Sequence, residues 1–339
     1  LAGGKVIHPV LGLPGGVAKA LKAEDQETAK KVAGEAVEFA EFTLKVFDDI
    51  VLKNQEYVDL ILSDAYAHRT YYMGMVDENN HVNFYDGMIR VVDPAGNEFT
   101  KYDSNDYADN VSEHVEPWSY LKYPYLKKVG WKGFVDGMDS GVYTCTPQSR
   151  LNASDGMATP KAQEAYEQMY ETLGANKVGG RYEPVHYRLA THWARLVELM
   201  YASERMLELV TDPEITDPNV RGEITETPTE GIGCVEAPRG TLTHHYKTDE
   251  NGIVQKANLI VGTTNNNAAM NMSIKKAAQG LIKKGTEITE PTLNMIEMAF
   301  RAYDPCMSCA THTLPGQMPL EVIVRDVDGT ELTKARRNM

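Results

Sequence analysis

Near the C-terminal end, Asp304-Pro305-Cys306-Met307-Ser308-Cys309-Ala310-Thr311-His312 sets two thiols at Cys-x-x-Cys spacing and an imidazole beyond them. Both sulfurs of such a pair can reach one metal ion, and His312 adds a nitrogen donor to the same neighbourhood. The spacing equally suits half of a zinc site, a thioredoxin-like redox pair, or two small buried thiols without chemistry. Covalent haem attachment is excluded, because His312 does not directly follow Cys309. A second chemical stretch, Gly231 to Tyr246, carries Pro238 and Arg239. Read alone, Arg239 is a surface ion-pair residue worth at most ~1 kcal/mol.

The elements that must position these residues follow from periodicity and turn chemistry. Apolar residues at three- and four-residue steps (Val32, Ala36, Phe39, Ala40, Leu44, Phe47, Ile50, Val51) predict one long helix from Asp25 to about Asn54. Short apolar runs at 71–76, 82–85 and 88–92, divided by polar turns, predict antiparallel strands and a small β subregion over about 66–100. Residues 100–156 carry no sustained period that assigns them an element. Thr159-Pro160 is an N-cap followed by proline at the first helical position. A further helix is expected from about Pro184 to Val210, with Leu189, Trp193, Leu196, Leu199, Met200, Met206 and Leu207 facing inward. His186 and His192 within it lack the spacing that brings ligands together, and read as structural. After the Pro- and Thr-rich connector 211–229, strands flank the turn Asp249-Glu250-Asn251-Gly252, which predicts a hairpin. Arg239 and Thr263 then fall at neighbouring strand ends, where they could face a common pocket. His244 and His245 are adjacent and point to opposite faces of a strand, so at most one faces that pocket. Helices over 268–283 and after Pro291 back the cysteine loop.

Composition bounds the function classes. The chain has 339 residues, 42% of them apolar, enough for a large core. A net charge of -14 disfavours nucleic-acid binding, which needs a basic surface. No apolar run is long enough for a membrane span. Four cysteines do not make a secreted disulfide framework, which points to the cytoplasm. Cys145 and Cys234 are isolated, so electrons from any redox metal must leave through a partner.

Arg301 to His312, read as R-A-Y-D-P-C-M-S-C-A-T-H, resembles the C-terminal metal-binding motif of nickel-iron hydrogenase large subunits. A-P-R-G-T-L-x-H-H-Y followed by L-I-V-G-T-T-N-N-N is similar to the second marked region of that family, and G-G-K-x-I-H-P with P-G-G resembles one of its internal segments. The resemblance implies an α+β, predominantly helical fold with small antiparallel β elements. It implies a single large-subunit fragment over 1–339 whose family N-terminal part, with the other Cys-x-x-Cys pair, is missing. The implied cofactor is a nickel-iron centre with cyanide and carbon monoxide on iron. Cys306 would be a terminal nickel ligand and proton acceptor, and Cys309 a bridge between the metals. Pro238 and Arg239 would surround one cyanide and Thr263 would donate to another, while Asp304 and Arg239 cap the open face. Gly262 stands where many members have proline. His312 would help bind a Mg2+ or Fe2+ ion and become the C-terminus after a maturation endopeptidase removes 313–339.

The implied activity is reversible heterolytic cleavage of H2. Two partners are expected, a small iron-sulfur subunit plus one for electron transfer, with heterodisulfide reductase as a possible acceptor. The central stretches resemble most the cytoplasmic methyl-viologen-reducing, F420-non-reducing type. The alternatives are an NAD-reducing relative and a complex I-like quinone-coupling subunit, against which retention of Cys306 and Cys309 argues.

Overall fold

A computed structural model describes residues 12–119, 121–285, 287–306 and 320–337. Cys309, His312 and His8 lie outside the described residues. Helix α1 (Ala23–Phe47) continues as a π-helical turn, Asp48–Leu52, and Asn54 then caps α2 (Gln55–Ile61) by accepting the Glu56 N–H. The helix expected in one piece is therefore interrupted; apolar spacing does not distinguish the two hydrogen-bond patterns over so few residues. Its inward face is also rotated from the expected stripe. Ala33, Val37 and Ala40 are buried, whereas Val32, Phe39 and Ile50 are exposed. Small residues let α1 lie close along α5 (Thr191–Thr211), the next long helix.

The strands are β1 (Tyr71–Val76), β2 (His81–Val82), β3 (Met88–Val92) and β4 (Glu98–Tyr102). They are followed by a separate hairpin, β5 (Val111–Val115) and β6 (Lys122–Leu126), and by β7 (Tyr143–Thr144). In the main sheet β3 pairs antiparallel with β1 and β4; β7 joins the start of β1 in parallel, and β2 its end. The strand expected over 82–85 stops early because the Asn83 side chain accepts the N–H groups of Tyr85 and Asp86, which turns the chain.

All six residues of β1 are buried, since both faces are covered. Tyr71, Met73 and Met75 enter a core with Ile89, Val91, Tyr102, Tyr143 and Ile260. The opposite face packs on α3 (Pro147–Ala153), so closely that a Cβ on Gly74 would stand 2.8 Å from the Arg150 Cα.

Helix α3 lies in the stretch to which periodicity assigns no element, and its polar composition is the reason. All seven residues are buried, yet only Pro147, Leu151 and Ala153 are apolar. Burial on these terms requires every polar group to find a partner. Thr146 caps the helix through the Ser149 N–H. Gln148 donates to the Val185 and Tyr187 carbonyls, and Asn152 exchanges hydrogen bonds with the Val185 backbone while accepting the Tyr170 hydroxyl. Arg150 grips Glu198 of α5 with two bonds of 2.6 and 2.5 Å, and donates to the Glu236 carboxylate at 3.0 Å and the Ala237 carbonyl at 2.7 Å.

Strand β8 (Gly156–Met157) extends the main sheet beside β2, and α4 (Pro160–Thr172) starts where the Thr-Pro pair predicts. A three-stranded sheet follows, β9 (Glu230–Ala237), β10 (Gly240–Thr248) and β11 (Val254–Ile260), all antiparallel. Then come the short α6 (Gly262–Asn265), α7 (Asn267–Leu281) and α8 (Glu290–Arg301), and a last hairpin of β12 (Leu320–Arg325) and β13 (Glu331–Arg337). Helix takes 41% and strand 25%, so the fold is mixed α and β, and helix does not predominate to the extent expected.

Arg150→Met leaves two buried carboxylates without their cation and should lower unfolding free energy by about 3–5 kcal/mol in a denaturant titration. His186, whose Nδ1 shares a 2.6 Å hydrogen bond with the Tyr72 hydroxyl, is held down to about 3 by burial and then by the Arg188 charge. The unfolded state therefore binds the extra proton between pH 6.5 and 3, and stability falls as pH drops through that window, by up to ~1.4 kcal/mol per pH unit. Melting temperature measured against pH should lose that increment in His186→Gln.

Candidate metal centre

Pro238 and Arg239 form the two-residue loop of a tight hairpin, with Ala237 opposite Gly240. This hairpin, distinct from the one predicted at 249–252, fixes Arg239 at a strand end. Gly240 has φ +152°, and a Cβ there would meet the Gly262 carbonyl at 2.7 Å and the Cys145 sulfur at 2.9 Å. Only glycine lets the loop settle against the start of α6. Asn266 completes the junction: its amide donates to the Arg239 carbonyl at 2.8 Å and its oxygen accepts the Cys145 N–H at 3.0 Å. Asn265 donates to the Thr241 carbonyl at 2.7 Å. Thr263 thus sits beside the Arg239 loop, as the strand-end reading anticipates.

The other half of the site is the turn after α8. Arg195 of α5 donates to the Ala302 carbonyl at 2.7 Å. The Tyr303 hydroxyl bonds Ser273 of α7 at 2.8 Å. Arg239 Nε donates to the Asp304 carbonyl at 2.5 Å and lies 3.1 Å from its carboxylate. The Cys306 N–H donates to the Thr263 hydroxyl at 3.1 Å. Asp304 has φ +50°, a left-handed conformation that costs a non-glycine residue about 1–2 kcal/mol. The exposed Arg239 contacts offset part of that cost, about 1 kcal/mol at most.

The donors around this turn are incompletely used. Arg239 engages only its Nε, and among the described residues both terminal nitrogens lack a partner. Thr263, buried, accepts the Cys306 N–H, so its own hydroxyl hydrogen remains to be donated. Donors on the residues that hold the turn of Cys306 suit a group carrying small anionic acceptors. The metal donors are less fully in view: among the described residues no three His, Cys, Asp or Glu side chains come together. Cys306 is the described thiol of the motif, half-buried beside Thr263.

Pro238, Arg239, Thr263, Asp304 and Cys306 are therefore brought to one place. His244 and His245 are not part of it: His244 is bonded to Tyr246, and His245 to Tyr107 and Glu230. Burial pushes the Cys145 thiol up to about 12 and raises Cys234, which leaves both as inert core groups. Sequence reasoning misses Arg150, Glu236 and Arg195, which hold the site without entering it. A glutamate three residues before Arg239, on a strand with apolar neighbours, is the signal that could have found one of them.

The profile described as nickel-dependent hydrogenase matches residues 1–312. The chain is 51% identical over 338 residues to an iron-sulfur subunit of the F420-non-reducing hydrogenase of Archaeoglobus profundus, covering 100% of this chain and 68% of that protein. It is 41% identical over 330 residues to a subunit of the F420-non-reducing hydrogenase of Methanothermobacter thermautotrophicus, covering 96% and 65%. It is 36% identical over 347 residues to the beta subunit of the NAD-reducing hydrogenase HoxS of Cupriavidus necator, covering 98% and 66%. Among solved structures, an NAD+-reducing [NiFe]-hydrogenase in the H2-reduced state superimposes with a TM-score of 0.79 at 33% identity, over 91% of this chain and 64% of that one. The chain spans about two thirds of the length of these relatives. With a family match over residues 1–312 and 51% identity to a member over its full length, the chain belongs to the nickel-dependent hydrogenases.

Proposed function

We propose that this chain is part of the catalytic subunit of an F420-non-reducing hydrogenase that cleaves H2 reversibly and passes electrons to a partner iron-sulfur subunit. The observation that carries the reading is the junction of Cys306, Thr263, Arg239 and Asp304, where Arg239 and Thr263 hold the turn that carries the cysteine. When bound, a nickel-iron centre supplies the Lewis acidity and redox capacity that no side chain has. Cys306 and Cys309 would be the thiolate donors this chain offers to such a centre. Arg239 and the Thr263 hydroxyl would donate to cyanide ligands of that centre, with Pro238 as their apolar neighbour. Cys306 would hold the proton that cleavage releases, and Asp304 keeps Arg239 beside the cysteine's turn. Arg239 is not itself the base, since a guanidinium resists deprotonation.

His312 binds a Mg2+ or Fe2+ ion, and 313–339 is an extension removed by an endopeptidase. The family match ending at residue 312 supports that boundary. Identity of 51% to the A. profundus protein against 36% to the NAD-reducing one favours the F420-non-reducing type, with an electron-transfer subunit of the heterodisulfide reductase kind as the next partner. No helix among the described residues is long and apolar enough to cross a membrane, in keeping with a cytoplasmic assembly.

Metal analysis of the full-length subunit in its complex should find nickel with iron; zinc alone, or no metal, would refute the assignment and favour a thiol-binding or complex I-like protein. Cys306→Ala should lose nickel and H2 uptake together. Arg239→Lys, which loses the second donor arm but keeps the charge, should retain metal and lower uptake about 10- to 100-fold, the worth of one charge-assisted bond.

A further inference from the structure

The turn that presents Asp304 and Cys306 ends a buried polar chain reaching well away from the loop. Arg188 is 1% exposed, and among the described residues no carboxylate pairs with it. Its Nη2 donates to the His68 carbonyl at 2.7 Å, the Thr70 hydroxyl at 3.2 Å and the His68 Nδ1 at 3.2 Å, and its guanidinium lies 5.5 Å from the centre of the Tyr72 ring. His68 Nε2 stands 2.7 Å from the Ser273 hydroxyl and 3.3 Å from that of Tyr303. Ser273 and Tyr303 bond each other at 2.8 Å.

Direction follows from chemistry. A guanidinium has donors and no acceptor, so the His68 nitrogen facing it must present a lone pair. The ring is then the tautomer protonated on Nε2, and that hydrogen is donated to Ser273. Burial opposes a second proton on the ring, and Arg188, with His186 and Lys276 farther off, opposes it further. A chain with an arginine at its inner end and a locked imidazole in the middle cannot pass protons on; it can only hold.

We propose that His68 and Arg188 are positioning residues for the metal-presenting turn: Arg188 sets the His68 tautomer, and His68 through Ser273 fixes the Tyr303 ring that leads into Asp304 and Cys306. This rests on the reading of that turn as the presenter of the nickel site. The competing role for the same residues is a proton relay, which requires His68 to change protonation.

The test uses the full-length subunit in its assembled complex, with His68→Gln, His68→Leu, Ser273→Ala and Tyr303→Phe. Glutamine can place an amide donor near the Nε2 position but cannot relay a proton. Hydrogen–deuterium exchange of the amides at 301–306 should quicken about tenfold in His68→Leu, Ser273→Ala and Tyr303→Phe, as expected for one lost hydrogen bond, and stay near wild type in His68→Gln. Cyanide and carbon monoxide infrared bands should broaden in the first three and remain sharp in the glutamine variant, whose H2 uptake keeps the wild-type pH profile. Unchanged exchange at 301–306 in all variants overturns the proposal. So does a glutamine variant as inactive as leucine with exchange and bands unchanged, which is the signature of a relay. If the wild-type complex holds no nickel, the reading of the centre fails, and the exchange measurement still decides whether His68 positions the turn.

Discussion

The buried Arg150 ties three parts of the molecule that have no sequence proximity: α3 on the main sheet, Glu198 on the long helix α5, and Glu236 at the end of β9. Glu236 also accepts the Met75 N–H of β1 at 2.7 Å and the Thr241 hydroxyl of β10. A cation and two carboxylates taken out of water carry a desolvation cost that their attraction offsets only in good geometry. The geometry is good, with a two-pronged grip on Glu198 and donors from three elements around Glu236. The consequence is specificity of placement. Arg150 donates to the Ala237 carbonyl, the residue before Pro238, so the loop carrying Arg239 is referenced to the helical core and the main sheet together.

That constraint explains why the chemistry is legible in the sequence while its scaffold is not. Cys306, Arg239, Asp304 and Thr263 stand out because they lie in short motifs that resemble one family, and the structure brings them to one place. The long amphipathic helices are legible for a similar reason, although the buried face of α1 departs from its apolar stripe: small residues, not the larger Val32 and Phe39, face α5. Helix α3 obeys no apolar period. Its burial is stabilised by hydrogen bonds to Val185, Tyr187, Tyr170, Glu198 and Glu236, all remote in sequence. The β content exceeds expectation because two-residue strands such as β7 and β8 are defined by partners and have no pattern of their own.

The turn after α8 shows how such a scaffold can hold a strained conformation. Asp304 at φ +50° is unfavourable locally, and no single neighbour compels it. Its position is overdetermined: Arg195 holds the carbonyl before Tyr303, Ser273 holds the Tyr303 hydroxyl, Arg239 holds Asp304, and Thr263 holds the amide of Cys306. These anchors come from α5, α7, the β9–β10 loop and α6. Each bond alone is modest, and the Arg239–Asp304 ion pair is too exposed to contribute much as charge. Together they remove the freedom of the turn, which costs less here than for a free loop because the anchoring elements are already ordered.

An assembly of this kind couples folding to the donor geometry. Ser273 lies 30 residues from its partner in the turn and Arg195 lies 107 from its own, so neither can act until the helices have packed. The backbone of Cys306 is then held at a fixed point by the Thr263 hydroxyl, in the turn that Arg239 also grips. Preorganisation matters most for ligands as small as diatomic anions, which offer one acceptor atom and no apolar surface to guide them. A flexible loop would have to lose its own entropy for each bond it made. In the observed arrangement that loss is met by core packing around Arg150, which reaches the Arg239 loop through the Ala237 carbonyl.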